Sequence, residues 1–407
     1  MDRCRKFGLI FLLIFFPIRP LLAEIVPGTR FIGDLVIIGL FLWTCLEQRK
    51  LITLNHSFAR YYLFFIGIGV LSATFTGVMP IAIAMQVRAF LIPFLLLFVI
   101  YEWPITKKDI QHILWTSFFM GCLLSIHGLI EKLSARTLLV PESWQNWELA
   151  AVNTDRIYGL VANPNVLAVY LMIVFFLTLY LKELKPRYSL LFNIGLVLLA
   201  GAIMLTYSRG TLIAFGLSLF ALSFLKKNWH YFIRTTIFFL VALAVIFLPI
   251  DTVTESTGMN TSDRFIDMFS EKRVQQSAAG GRVYIVKKGL EIFADYPIAG
   301  IGFGTYGSSA TISFHSPIYD RYNIPNGLYA DNQYMQVLVE TGIIGTFFLL
   351  LYIFQLARKT GQTFLYFILI AGLIGSAFYS MLEDKTFTLY FYLIIGYALH
   401  QRREEHE

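Results

Sequence analysis

Cysteine, charge and clustered histidine are all scarce in this chain, and each scarcity removes a class of protein. Three cysteines among 407 residues cannot build a disulfide-held extracellular scaffold. Charged residues make up 14% of the chain, against about 25% in an ordinary soluble domain, which argues against a water-soluble fold. His127 and His315 stand alone in the sequence, whereas a zinc site wants closely spaced His, Cys or carboxylate groups, so no metal and no cofactor is expected.

What is present is apolar surface. Hydrophobic residues reach 57%, aromatics 16%, and the mean hydropathy is +0.65. Runs of membrane-spanning length recur from end to end with short, often charged connections, so an all-α polytopic membrane protein is expected. About twelve spans are read, near 7 to 23, 31 to 46, 61 to 78, 81 to 102, 111 to 130, 164 to 181, 189 to 206, 210 to 225, 232 to 250, 335 to 355, 363 to 381 and 386 to 400. The first resembles a secretory signal, with Arg3, Arg5 and Lys6 before the apolar stretch and LLA at 21 to 23. It is kept as a span because Pro17, Arg19 and Pro20 interrupt it and further spans follow at once; cleavage is the alternative.

Lys and Arg collect on alternate connections: the N-terminus, then Arg49, Lys50 and Arg60, then Lys107 and Lys108, then Lys182, Lys185 and Arg187, then Lys226, Lys227 and Arg234, then Arg358 and Lys359, then Arg402 and Arg403. Both termini are therefore expected in the cytoplasm. The net charge of +7 is mostly this topology signal and not a nucleic-acid footprint. On this topology Cys4 and Cys45 are cytoplasmic and Cys122 lies in a span, so none can form a disulfide in the external loops. Three regions follow: 1–250 with spans one to nine and a short external loop at 131–163, then a large external loop at 251–334 between spans nine and ten, then 335–407 with spans ten to twelve and a cytoplasmic tail.

Long loops are usually functional. The larger one contains RVYIVKKGLEIFADYP, where Val283, Val286, Leu290 and Phe293 recur at helical spacing. This reads as an amphipathic helix ended by Tyr296 and Pro297, either lying on the membrane or packed on the spans. The following GIGFGTYG matches a GxGxxG fingerprint letter for letter. It lacks the preceding strand and following helix that a dinucleotide site needs, and a glycine-rich turn is the better reading.

Arginines gather on the external side: Arg156, Arg209, Arg264, Arg273, Arg282 and Arg321, with Arg88 inside a span. An intramembrane arginine costs roughly 2.5 to 3.5 kcal/mol, so Arg88 should face a polar cavity or a partner. For Arg209 the alternative is snorkelling at a helix end; Arg264, Arg273 and Arg321 read as solvated loop charge. Arginine forks bind phosphate oxygens bidentately, so a lipid-linked diphosphate could meet Arg88, Arg209 and Arg282 with its sugar among the outer loops.

Asp331, in LYADNQYMQVLVETGIIG at 328 to 345, would then stand beside the sugar. A glycosyl diphosphate carries a leaving group that is already a stable anion, so one base suffices, and an aspartate with an unperturbed pKa of about 3.9 is ionised at neutral pH. Single displacement would invert the anomeric centre. The alternative for Asp331 is a helix N-cap.

Four stretches together, RIYGLVANPNVLAVYL at 156 to 171, TYSRGTL at 206 to 212, GGRVYIVKKGLEIFADYPIAGIGFGTYG at 280 to 307 and ADNQYMQVLVETGIIG at 330 to 345, resemble the O-antigen ligase and polymerase superfamily of bacterial membrane glycosyltransferases. The resemblance covers roughly Arg156 to Gly345 and implies a GT-C-like fold in the bacterial plasma (inner) membrane. It also implies an undecaprenyl-diphosphate-linked glycan as both donor and acceptor, no nucleotide sugar and no metal, with a flippase and a chain-length regulator as partner classes. Asp331 is then the catalytic candidate. The diphosphate- or glycan-binding candidates are Arg88, Arg156, Asn165, Arg209, Arg282, His315, Asn332 and Tyr334. Ligases of this superfamily typically carry a histidine where this chain has Asp331 before Asn332, so the pattern looks more like a polymerase. A ligase would have to use Asp331 or His315. A flippase or other transporter would favour internal repeats and broken helices, and neither is read in the sequence.

Overall fold

A computed structural model of the chain describes residues 2–48, 57–103, 105–149, 153–225, 227–254, 281–360 and 366–406. Arg49, Lys50, Lys226, Arg264 and Arg273 lie outside the described residues. In chain order the main helices are α1 (Asp2–Ile25), α2 (Ile32–Gln48), α3 (Ser57–Thr76), α4 (Pro80–Tyr101), α5 (Lys107–Leu133), α6 (Pro164–Leu184), α7 (Ser189–Leu205), α8 (Arg209–Leu225) and α9 (His230–Val253). They continue as α10 (Arg282–Asp295), α11 (Ser309–Phe314), α12 (Pro317–Arg321), α13 (Gln333–Thr360), α14 (Tyr366–Gly375) and α15 (Lys385–His406). There is no strand among the described residues. Nine helices there are long and apolar enough to cross a membrane: α1 to α7, α9 and α13, with short 3-10 turns joined to α2 and α7. The remaining expected spans fall on α8, α14 and α15. The chain is an all-α, multi-pass membrane protein. Pro17 and Pro20, expected to interrupt the first span, lie inside α1.

Two compact units are built from discontinuous stretches, Met1–Ile37 with Trp103–Asp263 and Ile38–Glu102 with Arg264–Glu407. In the first, α6 packs between α5 and α7. Its apolar window is 83% buried, against 17% for α9, so α6 is an interior helix and α9 presents most of its surface outward, as a lipid-facing span does. Close approach is allowed by Gly195, where a Cβ would lie 2.4 Å from the Phe118 ring. Asn163 caps α6, its side chain accepting the Asn165 and Val166 N–H groups at 2.9 and 3.2 Å, and Pro164 occupies the first turn where no N–H is needed.

In the second unit α3 packs on α13 and α4 on α15. Their shared interior is aromatic: the Tyr62 ring lies 4.4 Å from Phe94 and 4.7 Å from Tyr352. The expected amphipathic helix is α10, ending before Tyr296 as read. Its buried stripe is Ile285, Gly289 and Ile292, whereas Val283 and Leu290 are exposed, so the face packed on the fold is rotated from the expected one.

A second difference is the break in α13. Gly342 adopts φ 61° and ψ −164°, dividing the helix in two. The residues beyond the break donate to a neighbouring segment, Ile343 N–H to Pro297 O at 2.9 Å and Ile344 N–H to Ile298 O at 3.1 Å. A Cβ at position 342 would stand 2.4 Å from the Ile298 carbonyl oxygen, so only glycine satisfies both the dihedral and the approach. A broken span is therefore present although none was expected, because glycine inside an apolar run gives no outward signal of its dihedral.

Candidate functional site

In the first unit the segment before α6 meets the turn between α7 and α8. The Arg156 guanidinium donates to the Thr206 carbonyl at 2.8 Å, Asn153 Oδ1 at 3.3 Å and Asn165 Oδ1 at 2.8 Å. Asn165 Oδ1 also accepts from the Ser208 hydroxyl at 3.0 Å. Two side-chain amide oxygens and a backbone carbonyl thus hold the guanidinium in place. Arg209, exposed at the start of α8, follows directly, and Tyr207, with φ 50°, donates to Asp251. Two sequence-predicted residues, Arg156 and Asn165, are thus in direct contact.

The loop carrying Arg156 is anchored from below. Glu131 Oε2, on α5, accepts the Tyr158 and Gly159 N–H groups at 3.0 and 2.7 Å, while Arg136 stands 3.7 Å from its other oxygen. Arg136 also lies over the Tyr158 ring, 4.3 Å from its centre. Desolvation raises the Tyr158 hydroxyl above its ordinary value, opposed by the charges of Arg156 and Arg136.

In the second unit Asp331 precedes α13 with φ 45°, a left-handed conformation in which aspartate is tolerated more than most residues. It is not the cap. Asn332 is, its Oδ1 accepting the Met335 N–H at 3.0 Å. Arg282, the first residue of α10, donates from Nε and Nη2 to Asp331 Oδ2 at 3.4 and 3.3 Å. Arg282 and Asp331 are therefore brought together, with side chains 48% and 33% exposed, open enough for a ligand to reach either. Tyr334 is directed elsewhere, donating to the Leu373 carbonyl.

Sequence reasoning missed a second carboxylate. Glu383 accepts from Gln86 Nε2 at 2.7 Å and from Gln336 Nε2 through one oxygen, and from the Ser309 N–H at 3.2 Å through the other. Desolvation, and then the charges of Glu383 and Asp331, raise the Tyr329 phenol, which places both carboxylates within electrostatic reach of one tyrosine. Arg88, on α4, is half-buried and donates to the Met85 sulfur at 3.4 Å.

The glycine-rich turn is an anion cradle, and the protein fills it itself. Gly304, Thr305 and Tyr306 donate their N–H groups to Glu340 Oε1 at 2.9, 3.1 and 3.2 Å. Glu340 is 1% exposed, and its Oε2 has no hydrogen-bond partner among the described residues. Further bonds tie the turn to α3 and α13: Phe303 N–H to Gly69 O at 2.9 Å and Ile301 N–H to Val339 O at 3.0 Å. The signal that could have found Glu131 and Glu340 was the one applied to Arg88, an ionisable group inside an apolar run.

His315 is not isolated. Its Nε2 lies 2.8 Å from Asp320 Oδ2, and this carboxylate raises the imidazole above its ordinary value. Arg321 donates to the Tyr296 hydroxyl, in keeping with a loop charge. Among the described residues no three His, Cys, Asp or Glu side chains gather as a metal-ligand set.

The helical spans, with polar side chains gathered on the connecting segments of each unit, are those of a multi-pass membrane protein. Residues 194–350 match the family described as O-antigen ligase. Arg209, Arg282, His315, Asp331, Asn332 and Tyr334 lie within the matched stretch, and Arg88, Arg156 and Asn165 outside it. An O-antigen polymerase of Salmonella muenchen is 26% identical over 153 residues, 37% of this chain and 34% of that protein. The chain thus spans about a third of the length of that curated relative.

Proposed function

We propose that the protein is a polymerase of bacterial surface polysaccharide, of O-antigen, exopolysaccharide, capsule or teichuronic acid type. It transfers an undecaprenyl-diphosphate-linked glycan onto the terminal sugar of another lipid-linked repeat unit, without metal, at the plasma (inner) membrane with both termini in the cytoplasm. The observation that carries this reading is Asp331: a carboxylate held in a left-handed turn beside the Asn332 cap of α13 and facing an arginine. Similarity to an O-antigen polymerase supports it.

In this reaction Asp331 takes the proton of the acceptor hydroxyl, whose oxygen attacks the anomeric carbon of the donor. The bond from that carbon to the diphosphate breaks, and the diphosphate leaves with the electron pair, its charge met by Arg282. Arg282 is paired with Asp331 in the structure. A diphosphate that draws Arg282 to itself would release Asp331 for the acceptor, so donor binding prepares the base. In the first unit, Arg156 and Arg209 are the proposed phosphate-binding groups.

A ligase is the second reading, favoured by the family description and by the His315–Asp320 pair, which has the form of a base with its orienting carboxylate. Transport, which the broken α13 would suit, would move lipid-linked glycan across vesicles without a new glycosidic bond. The test is to incubate the protein in lipid with lipid-diphosphate-linked repeat units and size the products. A ladder identifies a polymerase; reaction only after a lipid A core is added identifies a ligase. Asp331→Asn should leave the protein folded and lower transfer by roughly 10²- to 10⁴-fold, and an unchanged ladder in that variant would remove Asp331 from the base role.

A further inference from the structure

Before Asp331 along the chain lies a cavity to which His315 alone, among the residues given a role above, contributes. Its volume is about 420 Å³, and Phe314, His315, Tyr319, Asn326 and Gly327 line it together with Met79 and Ser313. The volume falls in the range of small-molecule sites, roughly 300 to 1,000 Å³. Its wall is mixed: Phe314 and Met79 are apolar, Asn326, Ser313 and His315 carry donors and acceptors, and Tyr319 is almost wholly buried behind them. That combination matches the two-sided character of a sugar ring, whose C–H patches lie on aromatic faces while its hydroxyls take directed hydrogen bonds. A lipid tail would leave the polar wall unpaired, and a phosphate would meet Asp320, 2.8 Å from the imidazole.

Two structural features mark the cavity as built. His315 closes α11 with φ 54° and ψ 137°, a backbone that a non-glycine residue holds only under constraint. The opposite wall is tied to the lead-in to Asp331. The Tyr319 hydroxyl donates to Leu328 O at 2.6 Å and accepts from Gly307 N–H at 3.1 Å, and Ala330 N–H donates to Gly307 O at 3.1 Å. Gly327 is four residues before Asp331, and the strand of chain between them is pinned at both Leu328 and Ala330.

We propose that this cavity is a carbohydrate subsite of the transferase, binding a sugar of the glycan away from the bond being made, with Phe314 as its platform and Asn326 and His315 as its hydrogen-bonding groups. The proposal rests on the polymerase reading for its ligand class, and the fixed chain to Asp331 gives it a consequence: a seated sugar sets the register of the glycan relative to the base.

The probe is the oligosaccharide released by mild acid from the same lipid-linked repeat units and labelled with a fluorophore at its reducing end. Its equilibrium binding is measured by anisotropy to the full-length protein in nanodiscs. Saturable binding is expected for the wild type, weakened roughly tenfold by Asn326→Ala and by Phe314→Ala, and retained by Asp331→Asn. Asn326 is exposed, so its substitution tests the cavity without touching the core. Binding that ignores both substitutions, or no binding by the wild type, overturns the subsite. Binding as expected in a protein that makes no ladder leaves the subsite and removes the polymerase; a ladder with binding indifferent to Asn326 and Phe314 does the reverse.

Discussion

Glu131 in the first unit and Glu340 in the second perform one task in different company. Both are 1% exposed, both sit on spans, and each gathers the backbone N–H groups of a connecting segment. Glu131 takes two N–H groups and has Arg136 at 3.7 Å from its second oxygen. Glu340 takes three, and its second oxygen has no hydrogen-bond partner among the described residues. The difference is in the company each keeps: the first unit sets a side-chain cation near its buried carboxyl group, and the second gathers three peptide N–H groups on one oxygen. The glycine-rich turn that imitates a phosphate-binding fingerprint thus serves an internal carboxyl group, and glycine is needed there for close approach to neighbouring backbone: a Cβ at Gly302 would lie 1.9 Å from the Ala73 nitrogen and one at Gly307 2.3 Å from Ala330 Cβ.

The comparison is broken most directly at Glu340. Glu340→Ala leaves three buried N–H groups without an acceptor, each costing about 1 to 3 kcal/mol, a large share of the 5 to 15 kcal/mol typical of a domain. Loss of folded protein, or a fall of many degrees in the thermal transition in detergent, is expected. Glu340→Gln keeps a carbonyl oxygen for the same N–H groups and should be far milder. An alanine variant as stable as the wild type would show that the turn does not depend on this anchor.

At Glu131 the effect should be smaller and partly recoverable. Glu131→Ala strands two N–H groups, a loss of roughly 2 to 6 kcal/mol, and also leaves Arg136 buried without its carboxylate. Adding Arg136→Met removes the stranded cation, so the double variant should be less destabilised than the sum of the singles. Strict additivity in that cycle would mean that Arg136 does not balance Glu131, and the contrast between the units would lapse.

The spans were legible because length and apolarity decide them locally: every expected span has a helix at its place. The range of α10 was legible too, but not its inner face, since Ile285 and Ile292 recur with a spacing as regular as that of Val283 and Leu290. Asp331 stood out as a carboxylate against an apolar run, while the assignment of the cap turned on its neighbour, Asn332. Glu383 was not legible at all. Its partners Gln86 and Gln336 lie 297 and 47 residues away in sequence, and only tertiary folding brings two amides onto one carboxylate. Glu340 was visible as an ionisable residue in an apolar run, but its partners at 304 to 306 were not, since their spacing carries no local periodicity.

If burial sets the size of an electrostatic effect in this protein, the exposed His315–Asp320 pair should show the smallest one. The pair is open to water, with side chains 49% and 70% exposed, so salt screens it where it cannot reach Glu131 or Glu340. Asp320 raises the imidazole, so protonated His315 is the form the fold favours. Any stability from the pair is fully present below the unfolded value of about 6.5 and is lost as pH rises through the higher folded value. Titration of the His315 ring by NMR should give a midpoint above 6.5 in low salt, moving down on adding salt and down again in Asp320→Asn. A midpoint indifferent to both changes would mean that the carboxylate does not hold the ring, and that exposure alone does not rank these pairs.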